Sequence, residues 1–392
     1  MKKRIFVTLF FSVFAALTGV GIVIPLLPVY VHQMGASGIS IGLIFGAFSL
    51  SRTFFLPYFG KLSDIKGRKP FLAAGLIIYA FVSVAFIFSR DANAFIVVRF
   101  LQGIASAMIL PVAQAYVGEI CPPDKEGFVM GLFNLSLYGS LSLGPVMGGL
   151  IKDHFGIEAS FLCMGILAIV GFLLCLLFLP PIRHERLNSR KQRPLPYLQL
   201  LKNKEISGLF VFRLAYSTCI GIVWVFLPII ADEEFALSSS AIGILVMLGV
   251  FISGVLQAPM GYMADRLNKI LLVVLGGVIT SAAILSLEFA KGFWGLFGSN
   301  VIFGLGGGIG IPSIMAISVI KGRDTSSMGS LMALLTMAHS IGMLLGSLIA
   351  GAIMDIFDLH MAFIFGGIIM AVGTGIFSIL NGKSSNCAVT QQ

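Results

Sequence analysis

Apolar residues in this chain neither alternate nor keep to one helical stripe; they run on without a break and stop at short polar turns. Twelve such runs lie at 5–31, 38–59, 70–89, 92–118, 127–151, 158–180, 206–231, 238–262, 269–288, 292–320, 327–353 and 359–381. Each reaches the roughly 20 residues that a helix needs to cross a hydrocarbon core. The pattern predicts an all-α integral membrane protein of twelve transmembrane helices. The only long polar stretch, 181–205, carries Arg183, Arg186, Arg190, Lys191, Arg193, Lys202 and Lys204. It reads as a linker between a six-helix bundle at 1–180 and another at 206–381, followed by a tail at 382–392.

The two halves repeat at an offset near 200, which pairs Pro25 with Pro228, Asp64 with Asp265, Gly103 with Gly304, Pro111 with Pro312 and Gly144 with Gly342. Parallel repeats of this kind place a substrate site where the halves meet, near the bilayer midplane. Between the second and third runs stands Gly60-Lys-Leu-Ser-Asp64-Ile-Lys-Gly67-Arg68-Lys-Pro70, too charged for hydrocarbon and expected to turn sharply at Gly60 and Gly67. A weaker copy, Gly261-Tyr-Met-Ala-Asp265-Arg-Leu-Asn-Lys269, follows the eighth run.

This loop and its echo resemble the signature of the major facilitator superfamily of secondary transporters, and the likeness covers nearly the whole chain. It implies two pseudo-symmetric six-helix bundles working by alternating access. It also implies that Asp64 docks at the start of the eleventh span, near Thr325, Ser326 and Ser327, and that Arg68 pairs with Glu119 at the end of the fourth. In the first span, Gly19-Val-Gly-Ile-Val-Ile-Pro25-Leu-Leu-Pro28 is similar to the twelve-span tetracycline and multidrug proton antiporters. Those proteins carry an acid slightly earlier, where this chain reads Ala15-Ala16-Leu17-Thr18. Pro25 and Pro28 either kink the span or open its backbone onto a cavity. The fifth span carries Gly144-Pro145-Val-Met-Gly148-Gly149, which resembles the motif of exporters in this superfamily; its small residues also allow close helix packing.

Candidate chemistry inside the spans is cationic or neutral. Arg99, Gln102 and Gly103 share one helical face at i, i+3 and i+4, and they resemble the family's fourth-span Arg-x-x-x-Gly motif, implicated in proton transfer. Arg99 either faces the bundle interior or snorkels to the nearer surface. Asn300 holds its place in the second half. Arg52 and Arg213 carry the same two readings. His339 lies midway along its span, either as a titrating group in the proton or substrate pathway or as a satisfied core histidine.

Composition excludes a soluble fold, since 57% of the residues are hydrophobic, 11% are charged and the mean hydropathy is +1.00. The formal charge of +9 does not form a basic face for nucleic acid, because the cations sit in turns. With the N-terminus cytoplasmic, 20 Lys and Arg fall on that side, three on the other (Arg90, Lys152, Lys291) and three within spans. The positive-inside rule then puts both termini in the cytoplasm of a plasma membrane, as in a bacterial inner membrane, with Met1 to Val31 an uncleaved first span.

Five scattered cysteines, at 121, 163, 175, 219 and 387, indicate no metal site or disulfide framework. No cofactor, enzymatic centre or effector domain is expected. The expected function is export of an organic small molecule, drug-like or an anionic or zwitterionic amphiphile, by a monomer using protons as the coupling ion. The alternative is an importer or facilitator of a polar solute such as a sugar or organic anion.

Overall fold

The computed structural model describes the backbone of residues 2–120, 126–180, 197–325 and 328–388. Within them the chain forms twelve long helices and one short one. These are α1 (Lys2–Gln33), α2 (Gly38–Lys66), α3 (Arg68–Phe88), α4 (Ala92–Ile120), α5 (Glu126–Phe155), α6 (Ile157–Phe178), α7 (Tyr197–Leu200), α8 (Lys204–Glu233), α9 (Ser239–Arg266), α10 (Lys269–Leu287), α11 (Gly292–Asp324), α12 (Met328–Ile356) and α13 (Leu359–Ala388). Among the described residues, eleven of the long helices are apolar enough over their length to cross a membrane. The remaining long one, α5, has 30 residues and matches the fifth apolar run.

The helices outrun the apolar runs at their charged ends, because water and headgroups do not force a helix to stop. Where they begin, side chains cap them. Ser37 Oγ accepts from the Ser40 amide at 3.3 Å, Asn203 Oδ1 from Glu205 and Ile206 at 3.0 and 3.3 Å, and Asn268 Oδ1 from Ile270 and Leu271 at 3.0 and 3.3 Å. Each takes up orphan amides of a first turn.

Two sequence expectations are corrected here. Gly60 does not turn the chain: it lies inside α2, and a Cβ added there would meet nothing within 4 Å. The break falls on Gly67 alone, whose φ of 92° is in the region that favours glycine. Likewise Gly261 lies within α9, and its turn is made by Leu267 and the cap Asn268. Pro25 and Pro28 lie inside α1, which runs on through both.

The chain divides into two compact units. Unit 1 comprises residues 1–187 and 227–250; unit 2 comprises 188–226 and 251–392. The division passes through α8 and α9. In unit 1, α1 packs on α5 and α6, α2 on α4, and α3 on α4 and α6; in unit 2, α10 packs on α11 and α13, and α12 on α13. The pairings of α3 with α4 and α6 thus recur as those of α10 with α11 and α13.

The repeat extends to single atoms. In unit 1, a Cβ on Gly144 of α5 would lie 2.6 Å from the Thr18 carbonyl oxygen of α1, and one on Gly148 would lie 2.7 Å from that of Ile22. In unit 2, a Cβ on Gly346 of α12 would strike the Thr218 carbonyl of α8, and one on Gly221 would lie 2.7 Å from that of Met343. Backbones cross this closely only where no side chain intervenes.

Gly144→Val should therefore lower the thermal midpoint of the purified protein, with overpacking costing about 1–3 kcal/mol. Gly60→Ala, which fills open space on a helix, should raise stability by about 0.5–1 kcal/mol. A Gly144→Val protein as stable as wild type would contradict the crossing.

Candidate functional site

Unit 1 buries a polar cluster that draws on three helices. Arg99 of α4 is 3% exposed. Its guanidinium donates to Gln102 Oε1 at 2.8 Å and lies 4.5 Å and 4.9 Å over the rings of Phe45 and Phe48 on α2. The charge is thus held inside the unit, which decides against snorkelling. Gly103 brings α2 and α4 together at this level, as a Cβ there would strike the Phe48 carbonyl.

Tyr79 of α3, 1% exposed, is hydrogen-bonded to Ser106 and within electrostatic reach of both Arg99 and Arg52. Arg52 is half-buried on α2, and its Nε finds no acceptor among the described residues. Arg99 therefore stands on two aromatic faces and a neutral acceptor, with the second permanent cation, Arg52, beside the same phenol. Face contacts with a desolvated guanidinium contribute up to about 2 kcal/mol each.

At the Gly67 turn, the buried Arg68 donates to Ser63 Oγ at 2.6 Å, and the Gly67 amide bonds back to the Ser63 carbonyl at 3.1 Å. Asp64, Glu119 and Asp265 lie on α2, α4 and α9 with side chains outside the described residues, as do Ser326 and Ser327. The expected docking of Asp64 and the pairing of Arg68 with Glu119 thus fall outside them too.

A contact that the sequence did not signal closes one end of unit 1. Asp153, just past the apolar part of α5, accepts from the amides of Ser239 and Ser240 at 3.0 and 2.8 Å, capping the start of α9. The neighbouring backbones are close: a Cβ on Gly149 would strike the Ser239 carbonyl, and one on Gly243 the Pro145 carbonyl. Gly149 and Pro145 of the exporter-like motif are therefore used for packing here. Nearby, His32 and Glu233 meet at 3.1 Å and Gln33 donates to Asp232 at 2.8 Å. Partial burial works to raise the Asp153 carboxyl, but the Ser240 and Ser239 donors outweigh it and hold the group below its ordinary value.

In unit 2, His339 Nδ1 and Ser217 Oγ are 2.7 Å apart, linking α12 to α8. The pair sits beside the backbone crossing, since a Cβ on Gly342 would lie 2.8 Å from Ser217 Cβ. Asn300, 3% exposed, donates to its own helix at the Leu296 carbonyl, 3.0 Å away. Arg213 is half-buried on α8. The predicted residues thus fall into two groups: Arg52, Arg99 and Gln102 together in unit 1, and Arg213, Asn300 and His339 in unit 2. Phe45, Phe48, Tyr79, Asp153 and Ser217 join them. Tyr79 alone had a signal, as a lone phenol in an apolar run.

The sequence profile of the Major Facilitator Superfamily matches residues 9–223 and 209–384. The chain belongs to that superfamily, a family of transporters rather than enzymes. It is 29% identical to an uncharacterized MFS-type transporter of Methanocaldococcus jannaschii, over 97% of this chain and 98% of the relative. It is 25% identical to the quinolone resistance protein NorA of Staphylococcus aureus, over 97% and 96%. The crystal structure of the nucleoside transporter NupG superposes with a TM-score of 0.79 at 15% identity, covering 96% of this chain and 98% of that one. At that identity the likeness shows the fold alone.

Gln102→Leu should destabilise the protein by about 1.5–3 kcal/mol, since it leaves a buried guanidinium without its acceptor. The double variant Arg99→Met with Gln102→Leu should recover part of that loss, and thermal midpoints of the three proteins check the order.

Asp153→Ala should speed exchange of the Ser239 and Ser240 amides. The sign of the pH dependence follows from the lowered carboxyl. Protection, corrected for intrinsic rate, should hold at and above the ordinary carboxylate range near about 3.9 and be lost as pH falls through the lowered value. Protection lost already between neutral pH and that range would contradict the cap.

Proposed function

We propose that this multi-pass membrane transporter exports an organic small molecule, drug-like or an anionic or zwitterionic amphiphile, by alternating access coupled to proton antiport. The observation that carries this reading is the charge of the buried groups. Arg99 is held on Phe45 and Phe48 with Arg52 nearby, while the acids of the sequence fall between or at the ends of the apolar runs. A guanidinium at membrane depth costs several kcal/mol unless it is partnered, and an anionic headgroup is a fitting partner for such a site. Aromatic faces beside it suit the apolar part of an amphiphile.

The resemblance to NorA, a quinolone resistance protein, supports export, as does the Gly-Pro-x-x-Gly-Gly pattern of α5. His339, hydrogen-bonded to Ser217, supplies an ionisable side chain in a span without an acid. In this reading it takes up a proton in one state and releases it in the other, while the arginines stay charged and engage the anion. The distribution of Lys and Arg supports cytoplasmic termini in a bacterial inner membrane. The chain carries both repeats itself, which supports a monomeric working unit.

Everted vesicles loaded against anionic, zwitterionic and cationic amphiphiles, with and without a pH gradient, test the proposal. Gradient-driven uptake of anionic and zwitterionic compounds is expected. His339→Ala should abolish the gradient dependence while leaving the thermal midpoint near that of wild type. Transport indifferent to the gradient would replace antiport by facilitation, and a preference for cations would overturn the assignment of substrate charge.

A further inference from the structure

A trough of about 960 Å³ runs between α1, α5 and α6 of unit 1. Its walls are apolar, built from Phe11 and Phe14 of α1, Leu143 and Met147 of α5, and Val170 and Leu174 of α6. Phe11, Leu143 and Val170 are 53%, 45% and 43% exposed, so the trough faces the surroundings of the unit. On a membrane-spanning unit an exposed apolar wall of this kind suits acyl chains.

One end of the trough is different. Lys3 and Arg4 close it, with the Arg4 guanidinium 5.3 Å over the ring of Phe178. A second recess of about 390 Å³ shares Arg4 and Phe178 with the trough and adds Lys69 from the start of α3. Lys69 Nζ donates to the Leu176 carbonyl at 2.8 Å, which anchors the ammonium at the mouth and leaves it two further protons to donate. Among the described residues, no acid lines either hollow. Cations from two different helices therefore converge where an apolar trough opens.

The dimensions agree with a membrane occupant. From Leu167 to Phe178 the trough follows α6 for about 16 Å at 1.5 Å per residue, close to half of a hydrocarbon core of about 30 Å. That length matches one leaflet, which would set the cations at headgroup level.

We propose that the trough binds an anionic phospholipid. One acyl chain lies along Phe11 and Val170, and the phosphate sits among Lys3, Arg4 and Lys69. Basic recesses between membrane helices recognise anionic headgroups by this charge complementarity. The lipid is a resident ligand of the transporter's flank, separate from the Arg99 cluster.

Native mass spectrometry of the full-length protein in neutral detergent, offered phosphatidylglycerol and phosphatidylcholine with identical acyl chains, tests the proposal. Phosphatidylglycerol should be retained preferentially. Arg4→Gln and Lys69→Gln should each weaken retention about fivefold, the effect of one surface cation on an anionic lipid. Val170→Trp, which fills the trough at an exposed position, should weaken it with all cations in place. An unchanged thermal midpoint in phosphatidylcholine shows that each variant is folded. Equal retention of the two lipids would overturn the proposal, as would retention indifferent to both the charge variants and Val170→Trp. Displacement by glycerol 3-phosphate as effective as by phosphatidylglycerol would reduce the site to a plain anion site and overturn the lipid assignment.

Discussion

In hydrocarbon every peptide group has to find its partner inside its own segment, and each one left unpaired costs several kcal/mol. That constraint turns twelve apolar runs into helices whatever their detailed residues. It explains why α1 stays helical through Pro25 and Pro28, and why the single true break between α2 and α3 waits for Gly67. It leaves open which helices approach which. Lipid tails are as apolar as leucine, so burial alone does not draw two membrane helices together, and close packing has to do it.

Glycine supplies that packing at matching places in the two units. Gly144 and Gly148 bring α5 onto the carbonyls of Thr18 and Ile22, while Gly342 and Gly346 bring α12 onto the stretch from Leu214 to Thr218. Along α5 the same device continues outward, where Gly149 meets Ser239 and Asp153 caps the first turn of α9. One helix thus carries a deep crossing built from backbone and, a few residues on, a contact held by an exposed carboxylate. The first has no polar group to exchange with water. The second has hydrogen bonds that water can replace.

Fold was legible because continuous apolar runs carry their own length signal, and the repeat was legible because Gly, Pro and Asp recur at a fixed offset. Helix ends were less so, as with α2, which continues through Gly60 to Lys66 at the surface. Within the site, the face shared by Arg99 and Gln102 could be read from spacing of i and i+3, and the hydrogen bond between them follows it. Phe45 and Phe48 could not, because nothing local says that α2 will lie against α4. Ser217 and His339 are 122 residues apart, and a serine in an apolar run looks like packing. Asp153 read as one more acid outside a span, and only the approach of α9 gives it a role.

The repeat is most informative where it fails. At the offset of 201 that relates Gly103 to Gly304, Arg99 becomes Asn300, Gln102 becomes Phe303 and Tyr79 becomes Thr280. Asn300 satisfies itself on its own helix, so at that position unit 2 has no counterpart of the buried cation. At the offset of 200 relating Thr18 to Thr218, Ser217 answers to Leu17; at the 198 relating Gly144 to Gly342, His339 answers to Leu141. At those positions unit 1 therefore has no counterpart of the Ser217–His339 pair. A guanidinium stays charged at any working pH, whereas an imidazole changes charge within it. Placing Arg99 in one repeat and His339 in the other sets a group suited to hold an anion apart from a group suited to exchange a proton, although a second guanidinium, Arg213, shares unit 2 with the histidine. Under the proposed antiport the two need not compete for one side chain; their coupling has to come through the change of conformation that exposes each in turn.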